Sequence, residues 1–219
     1  MCMDGMNEKG LVVSILALDI KEGEAPVYQQ ENGKEQLLLT ELLRYLLDNC
    51  ASFDEAVEFT KGVNVINTLG YDFHLFVSDS SGEYGVFEFR NNCFTVTKSD
   101  IATNFYVGYD DGDYSATEKY RNELEGYKLG YGHGYDRFYL AAVTRNAKRN
   151  SAGEVIMSEQ ETKELLDAVA QKGTDEITSF TQYSAVYNQT EKKMYLYANQ
   201  NYNKCYYNEP FSKQADKER

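Results

Sequence analysis

The sequence predicts an α+β protein in which two antiparallel sheets are covered by helices, and three observations predict it. First, the 219 residues are 42% hydrophobic and 14% aromatic with only two prolines, enough apolar material for a large core in one sizeable domain. Second, the hydrophobic period changes along the chain, giving the order strand, helices, antiparallel strands, helices, antiparallel strands. Third, the strands come in runs joined by short turns and do not alternate singly with helices, which argues against a parallel βαβ sheet. With no internal repeat and no linker, residues 1–211 read as a single domain and residues 212–219 as a polar tail.

Residues 10–19, GLVVSILALD, form a continuous apolar run with polar neighbours, the pattern of a strand buried on both faces. Leu37, Leu38, Leu39, Leu42, Leu43, Leu46 and Leu47 recur at helical spacing, predicting a helix of about 14 residues from Lys34. Ser52 and Glu55 have the spacing of a capping box that starts a second helix, and Gly62 closes it. From residue 72 the period falls to two. Residues 74–79 and 84–90 flank Ser80, Ser81 and Gly82 as a hairpin, and residues 93–97 extend it into a meander. A fourth short strand is expected at 101–107, ending in a loop rich in Gly, Asp and Tyr at 108–114. Helices follow at 115–124 and 136–148, separated by the glycine-rich stretch 126–134, and a further helix runs from Ser158 to Gln171. Two strands, 179–187 and 193–199, close the pattern as a second hairpin.

The formal charge of −13 speaks against a nucleic acid duplex or an anionic membrane surface as the main partner. No apolar run approaches the ~20 residues of a membrane span, since Thr40, Glu41 and Arg44 interrupt the leucines, and no secretory signal pattern opens the chain. Cys2, Cys50, Cys93 and Cys205 are scattered without a CxxC pair. That spacing suits neither zinc nor a disulfide framework, and reduced thiols in a cytoplasmic setting are expected. The 19 tyrosines and 11 phenylalanines, without tryptophan, are expected on sheet faces and along one cleft wall.

Nucleophilic chemistry has few candidate carriers. His74 and His133 are the two histidines, and either has the chemistry to act as base to Cys93 or Cys205, but no spacing pairs them. The glycines around Gly132 lack the lysine of a phosphate-binding loop. Carboxylates fall mostly on helix exteriors, where solvation is the ordinary role. Cys2 differs, because removal of Met1 leaves a thiol beside its own free α-amine, a built-in base. The plainer reading is a cysteine that merely follows the initiator.

Several stretches together resemble the choloylglycine hydrolase and penicillin V acylase type of linear-amide C–N hydrolase: DGMNEKGL at 4–11, HLFVSDSSG at 74–82, Ala102-Thr103-Asn104, Asp136-Arg137-Phe138, and TQYSAVY at 181–187. The resemblance implies the αββα sandwich of N-terminal-nucleophile hydrolases, two antiparallel sheets between helical layers. It implies cleavage of an acyl–amine bond in a small-molecule amide by a cysteine nucleophile, with no metal and no organic cofactor. Asn104 matches the family's oxyanion-binding Asn, a role suited to a neutral N–H donor. Arg137 matches the active-site Arg, and a cation near a helix N-terminus is electrostatically ill placed unless something requires it there. Ala17 falls where bile salt hydrolases place a substrate-side Asn, so bile-salt specificity is not implied. Tyr106 belongs to tyrosine-rich loops, 106–114 and 127–135, expected to line an apolar groove.

In the family the nucleophile lies well upstream of the DGMNEKGL match, followed by an Arg and an Asp of the same site. Here three residues precede Asp4. The first expectation is therefore the C-terminal portion of a longer enzyme, lacking its first strands. A shortened, catalytically silent binding or assembly module is the second, and Cys2 in the nucleophile's place the third. Lost strands leave sheet edges that a homo-oligomer or a partner segment is expected to cover.

Overall fold

Five of the seven leucines that predict a helix form one, and it packs against the first two strands of a five-stranded sheet. The computed structural model describes residues 2–18, 26–68, 72–108, 134–172 and 180–207. Among them the order is β1 (Asp4–Met6), β2 (Val12–Leu18), β3 (Gln36–Leu38), α1 (Leu39–Asn49), α2 (Phe53–Lys61), β4 (Asn64–Ile66), β5 (Asp72–Ser78), β6 (Tyr84–Arg90), β7 (Cys93–Thr97), α3 (Gly134–Asn146), α4 (Glu159–Ala168), β8 (Tyr183–Asn188) and β9 (Lys193–Ala198). The described residues fall into two compact units, one holding residues up to 108 with Tyr187–Met194, the other residues 134–186 with 195–207.

In the first unit the strand order is β1-β2-β5-β6-β7, antiparallel throughout. Pleating separates alternate residues onto two faces. Val13, Ile15, Phe73, Leu75, Val77, Phe87 and Phe89 point to one of them. There they form the core with Leu39, Leu42, Leu43 and Leu46 of α1 and with Phe53 and Ala56 of α2. Leu39, Leu42, Leu43 and Leu46 recur at the spacing of one helical stripe and are fully buried, each contributing about 2 kcal/mol of transfer free energy.

The hairpin joining β1 to β2 explains the DGMNEKGL stretch. Asn7 Oδ1 accepts from the Lys9 and Leu11 N–H groups, while Nδ2 donates to the Leu47 and Cys50 carbonyls at 3.0 and 2.7 Å. One side chain thus closes a turn and caps the end of α1. Gly10 adopts φ +89°, and a Cβ there would lie 3.1 Å from the Gln189 carbonyl.

The helix expected from Lys34 begins at Leu39, because residues 36–38 are β3, paired in parallel with β4. Asn64 draws them out: its N–H donates to Glu35 O at 2.7 Å, and its side chain bonds both backbone groups of Glu31 and the Lys34 carbonyl. Those partners satisfy groups that a first helical turn would otherwise use. Ser52 caps α2 as expected, accepting from Glu55 N at 3.3 Å, but the Glu55 carboxylate reaches Ala51 N, one residue earlier than a capping box requires. The strand expected at 101–107 is irregular backbone, because its polar groups bond side chains of the sheet.

In the second unit α4 carries a complete capping box between Ser158 and Glu161, and Leu165, Leu166 and Val169 are half-buried. Tyr197 is buried, its ring centroid 5.7 Å from that of Tyr202. β8 and β9 pair across residues 189–192, a connection that only antiparallel strands permit. The turn end of this hairpin belongs to the first unit: Tyr187 Oη donates to Asp4 at 2.6 Å, and Gln189 Nε2 to Gly10 O at 3.0 Å. The helix expected at 115–124, the loop from 109, the glycine-rich stretch before Gly134 and the polar tail lie outside the described residues.

Candidate functional site

Three of the five residues expected at the site meet at one end of the five-stranded sheet, where β2 and β6 finish and β5 begins. Asn104 reaches this end from the segment 103–108. Its Nδ2 donates to the Ala17 carbonyl at 2.7 Å. The bond orients the side-chain amide, a neutral donor group. Ala17 lies opposite Phe73 in the β2–β5 ladder. Tyr106, two residues beyond Asn104, donates its hydroxyl to Asp72 Oδ2 at 3.0 Å.

Asp72 ties the neighbourhood together. Its Oδ1 accepts from Val27 N at 3.1 Å and from Asn67 Nδ2 at 3.3 Å, and the residue is buried. The Arg90 guanidinium stands 5.2 Å from the centroid of the Tyr106 ring, within cation–π range. Val27, Asp72, Arg90, Asn92 and Tyr106 line a cavity of about 190 Å³. An aromatic wall, a carboxylate and a guanidinium in so small a space make a site for a polar group, not for a long apolar chain.

The segment 103–108 is held by two buried side chains. His74 Nε2 lies 2.7 Å from Thr103 O, and because a carbonyl only accepts, Nε2 is the donor of this bond. Glu88 Oε1 accepts from Val107 N at 2.5 Å, and Oε2 accepts from Gly108 N at 2.7 Å and from the Thr97 hydroxyl at 3.2 Å. The Nδ1 of His74 faces Glu88 Oε1 at 3.4 Å. With both ring nitrogens so placed and the residue fully buried, His74 is a structural histidine and not the base of a surface thiol. Cys93 and Cys205 are exposed. His133 lies outside the described residues.

Cys2 lies just before β1, half-buried, its thiol 3.2 Å from Asp4 O and packed against the leucine core. Cys50 is buried, and burial pushes its thiol up to about 11, leaving it protonated and inert at neutral pH. Arg137 belongs to α3 in the second unit and is half-buried. Among the described residues no three His, Cys, Asp or Glu side chains gather as a metal site, and no helix is long and apolar enough to cross a membrane.

Sequence reasoning missed Asp72 and Glu88 by treating carboxylates as helix exteriors. A signal was present: each interrupts or opens an apolar strand, Glu88 between Phe87 and Phe89, Asp72 before Phe73. A charged residue at a core-strand position needs partners, and partners bring other segments with them.

The family model described as acyl-coenzyme A:6-aminopenicillanic acid acyl-transferase matches residues 2–203. A penicillin V acylase from Pectobacterium atrosepticum is 37% identical over 95 residues, 39% of this chain and 24% of that protein; the chain spans about a quarter of this curated relative. Two variants of the conjugated bile acid hydrolase from Clostridium perfringens superpose with TM-scores of 0.73 and 0.75 at 22% and 21% identity, each over 97% of this chain and 73% of theirs. A penicillin V acylase from Agrobacterium tumefaciens superposes at 0.64, 22% identical, over 90% of this chain and 62% of its own. At these identities the likeness is one of fold, α+β with a five-stranded antiparallel sheet packed against helices.

Proposed function

The chain belongs to the acyl-coenzyme A:6-aminopenicillanic acid acyl-transferase family, and from that membership we propose that it carries the oxyanion and pocket groups of a cysteine-dependent amidohydrolase cleaving a linear amide between an acyl group and an amine. The supporting observation is the Asn104–Ala17 bond, which holds a neutral N–H donor in one orientation at the end of the sheet. A preorganised donor stabilises charge on a tetrahedral carbonyl oxygen without reorganising during the reaction.

In the proposed reaction a cysteine thiolate adds to the amide carbon, and Asn104 meets the oxygen that becomes negative. The C–N bond then breaks, and the amine leaves with a proton from the α-ammonium of the nucleophile's own residue. Water finally hydrolyses the thioester and releases the acid. Tyr106 lines the pocket beside Ala17. Substrates are small acyl amides, with penicillin V and a conjugated bile acid as the first to test, given what the similar proteins are called.

The experiment is hydrolysis of a panel of acyl amides by the purified chain, read with its intact mass. Turnover that disappears in Asn104→Ala supports the reading. Turnover with Met1 removed and lost in Cys2→Ala assigns Cys2 as the nucleophile. A chain that binds these amides without hydrolysing any of them is instead the silent binding module.

A further inference from the structure

Glu88 and His74 are a buried carboxyl and a buried imidazole, 2% and 0% exposed, in a sheet whose other interior positions are mostly apolar. Burying such groups is costly, and apolar residues of similar volume serve packing as well or better. The bonds this pair makes therefore say more than its burial does. Beyond Thr97 and each other, its side-chain partners are backbone groups of one irregular segment: Thr103 O, immediately before Asn104, and the N–H groups of Val107 and Gly108, shortly after it. The segment is gripped on both sides of the residue proposed to bind the oxyanion.

We infer that Glu88 and His74 are positioning residues for Asn104, a buried clamp that fixes the backbone of 103–108 so that the amide is aimed before substrate arrives. The inference rests on the proposed role of Asn104, but its geometric part stands without that role. The approach at Gly108 supports it separately. A Cβ on Gly108 would sit 1.8 Å from the Thr97 hydroxyl oxygen and 2.8 Å from Glu88 Oε2, so the backbone comes close enough for its N–H to reach the carboxyl only because no side chain intervenes. Cross-strand geometry supplies the rest. Glu88 lies opposite Thr95 in the β6–β7 ladder, with Thr97 diagonal to it on the same face, and His74 follows one step beyond the Leu75–Phe87 pair of β5 and β6.

Glu88→Gln is the diagnostic substitution. It keeps size and shape, but its NH₂ must face either the Val107 or the Gly108 N–H, donor against donor, so one of those bonds is lost whichever way the amide turns. His74→Gln is the conservative partner, since its Nε2 can still donate to Thr103 O, whereas His74→Leu cannot. Two readouts separate the clamp from the proposed function. The first is amide hydrogen exchange by NMR at Val107 and Gly108. Slow exchange is expected in the unmodified chain, with at least tenfold faster exchange in Glu88→Gln. Fast exchange in the unmodified chain overturns the clamp even if every variant misfolds.

The second readout is steady-state kinetics on whichever acyl amide is hydrolysed. Glu88→Gln is expected to lower kcat at least tenfold with KM within twofold, and to add nothing when combined with Asn104→Ala. His74→Gln should retain turnover that His74→Leu loses. Full additivity with Asn104→Ala, or a change confined to KM, overturns the positioning role. Unchanged turnover in Asn104→Ala alone removes the proposed function of that residue, while the exchange data still judge the clamp.

Discussion

The side-chain amide of Asn104 donates to the main-chain carbonyl of Ala17 over 2.7 Å, joining positions 87 residues apart. The bond brings two residues singled out for different reasons to the same point, and it separates two effects that mutation of Asn104 otherwise mixes. Loss of one hydrogen bond to a half-buried carbonyl costs about 1 kcal/mol of stability. Loss of an oxyanion donor costs about 3 kcal/mol of activation free energy. Asn104→Ala is therefore expected to melt only slightly below the unmodified chain while hydrolysis of a responsive acyl amide falls at least a hundredfold. Thermal denaturation and initial rates measured on one preparation decide it, and equal turnover in the two proteins removes the assignment.

Tyr106 offers a milder change. In Tyr106→Phe the ring stays beside Arg90 while the hydroxyl bond to Asp72 is lost, with Asp72 keeping its bonds from Val27 and Asn67. Stability should fall by about 1 kcal/mol. If Tyr106 lines the substrate pocket, KM should rise with kcat little changed. A pure stability loss with both kinetic constants intact confines it to a structural role.

Asp79 makes stability depend on acid. Burial raises its pKa, but hydrogen bonds from Phe53 N–H, from the Ser81 hydroxyl and N–H, and from Glu83 N–H more than offset this, and the group ends below its ordinary value. A carboxyl held lower in the folded chain than in the unfolded one contributes stability above about pH 3.9, and that contribution disappears as pH falls through the lower folded value. Denaturant unfolding at pH 7, 4 and 3 should show this loss, and Asp79→Asn should start less stable at pH 7 and lose less on acidification. An Asp79→Asn profile parallel to that of the unmodified chain removes the carboxyl as the cause.

The four thiols should label in an order set by exposure and ionisation. Cys93 and Cys205 are exposed, Cys2 is half-buried, and Cys50 is buried with its thiol pushed up to about 11. Iodoacetamide at neutral pH, followed by peptide mass mapping, should modify Cys93 and Cys205 first, Cys2 later and Cys50 only on unfolding. Labelling of Cys2 ahead of both surface thiols would mark it as an activated nucleophile and promote it over an upstream one.

Much of the first unit was readable in the residues because its signals are local. The leucine stripe of α1, the alternation of β5 to β7 and the Ser52 cap each arise from residues a few positions apart, and burial of the resulting apolar face rewards the same choice. Two elements resisted. Residues 36–38 have a helical pattern but lie in β3, since Asn64 and its neighbours claim their backbone from about thirty positions away. Residues 101–107 have the apolar and aromatic content of a strand but no ladder, since Glu88 and His74 take their hydrogen bonds.

The sequence by itself determined the alternation of helix and strand signals, the family resemblance and the candidacy of Asn104, because each depends on residue type and near-neighbour spacing. Only the tertiary structure decided that Asn104 meets Ala17, that Tyr106 answers to Asp72, and that two buried polar residues on neighbouring strands grip the segment 103–108. The physical reason is that a polar group removed from water must find a partner, and which partner it finds depends on how distant strands come into register, not on its neighbours in the chain.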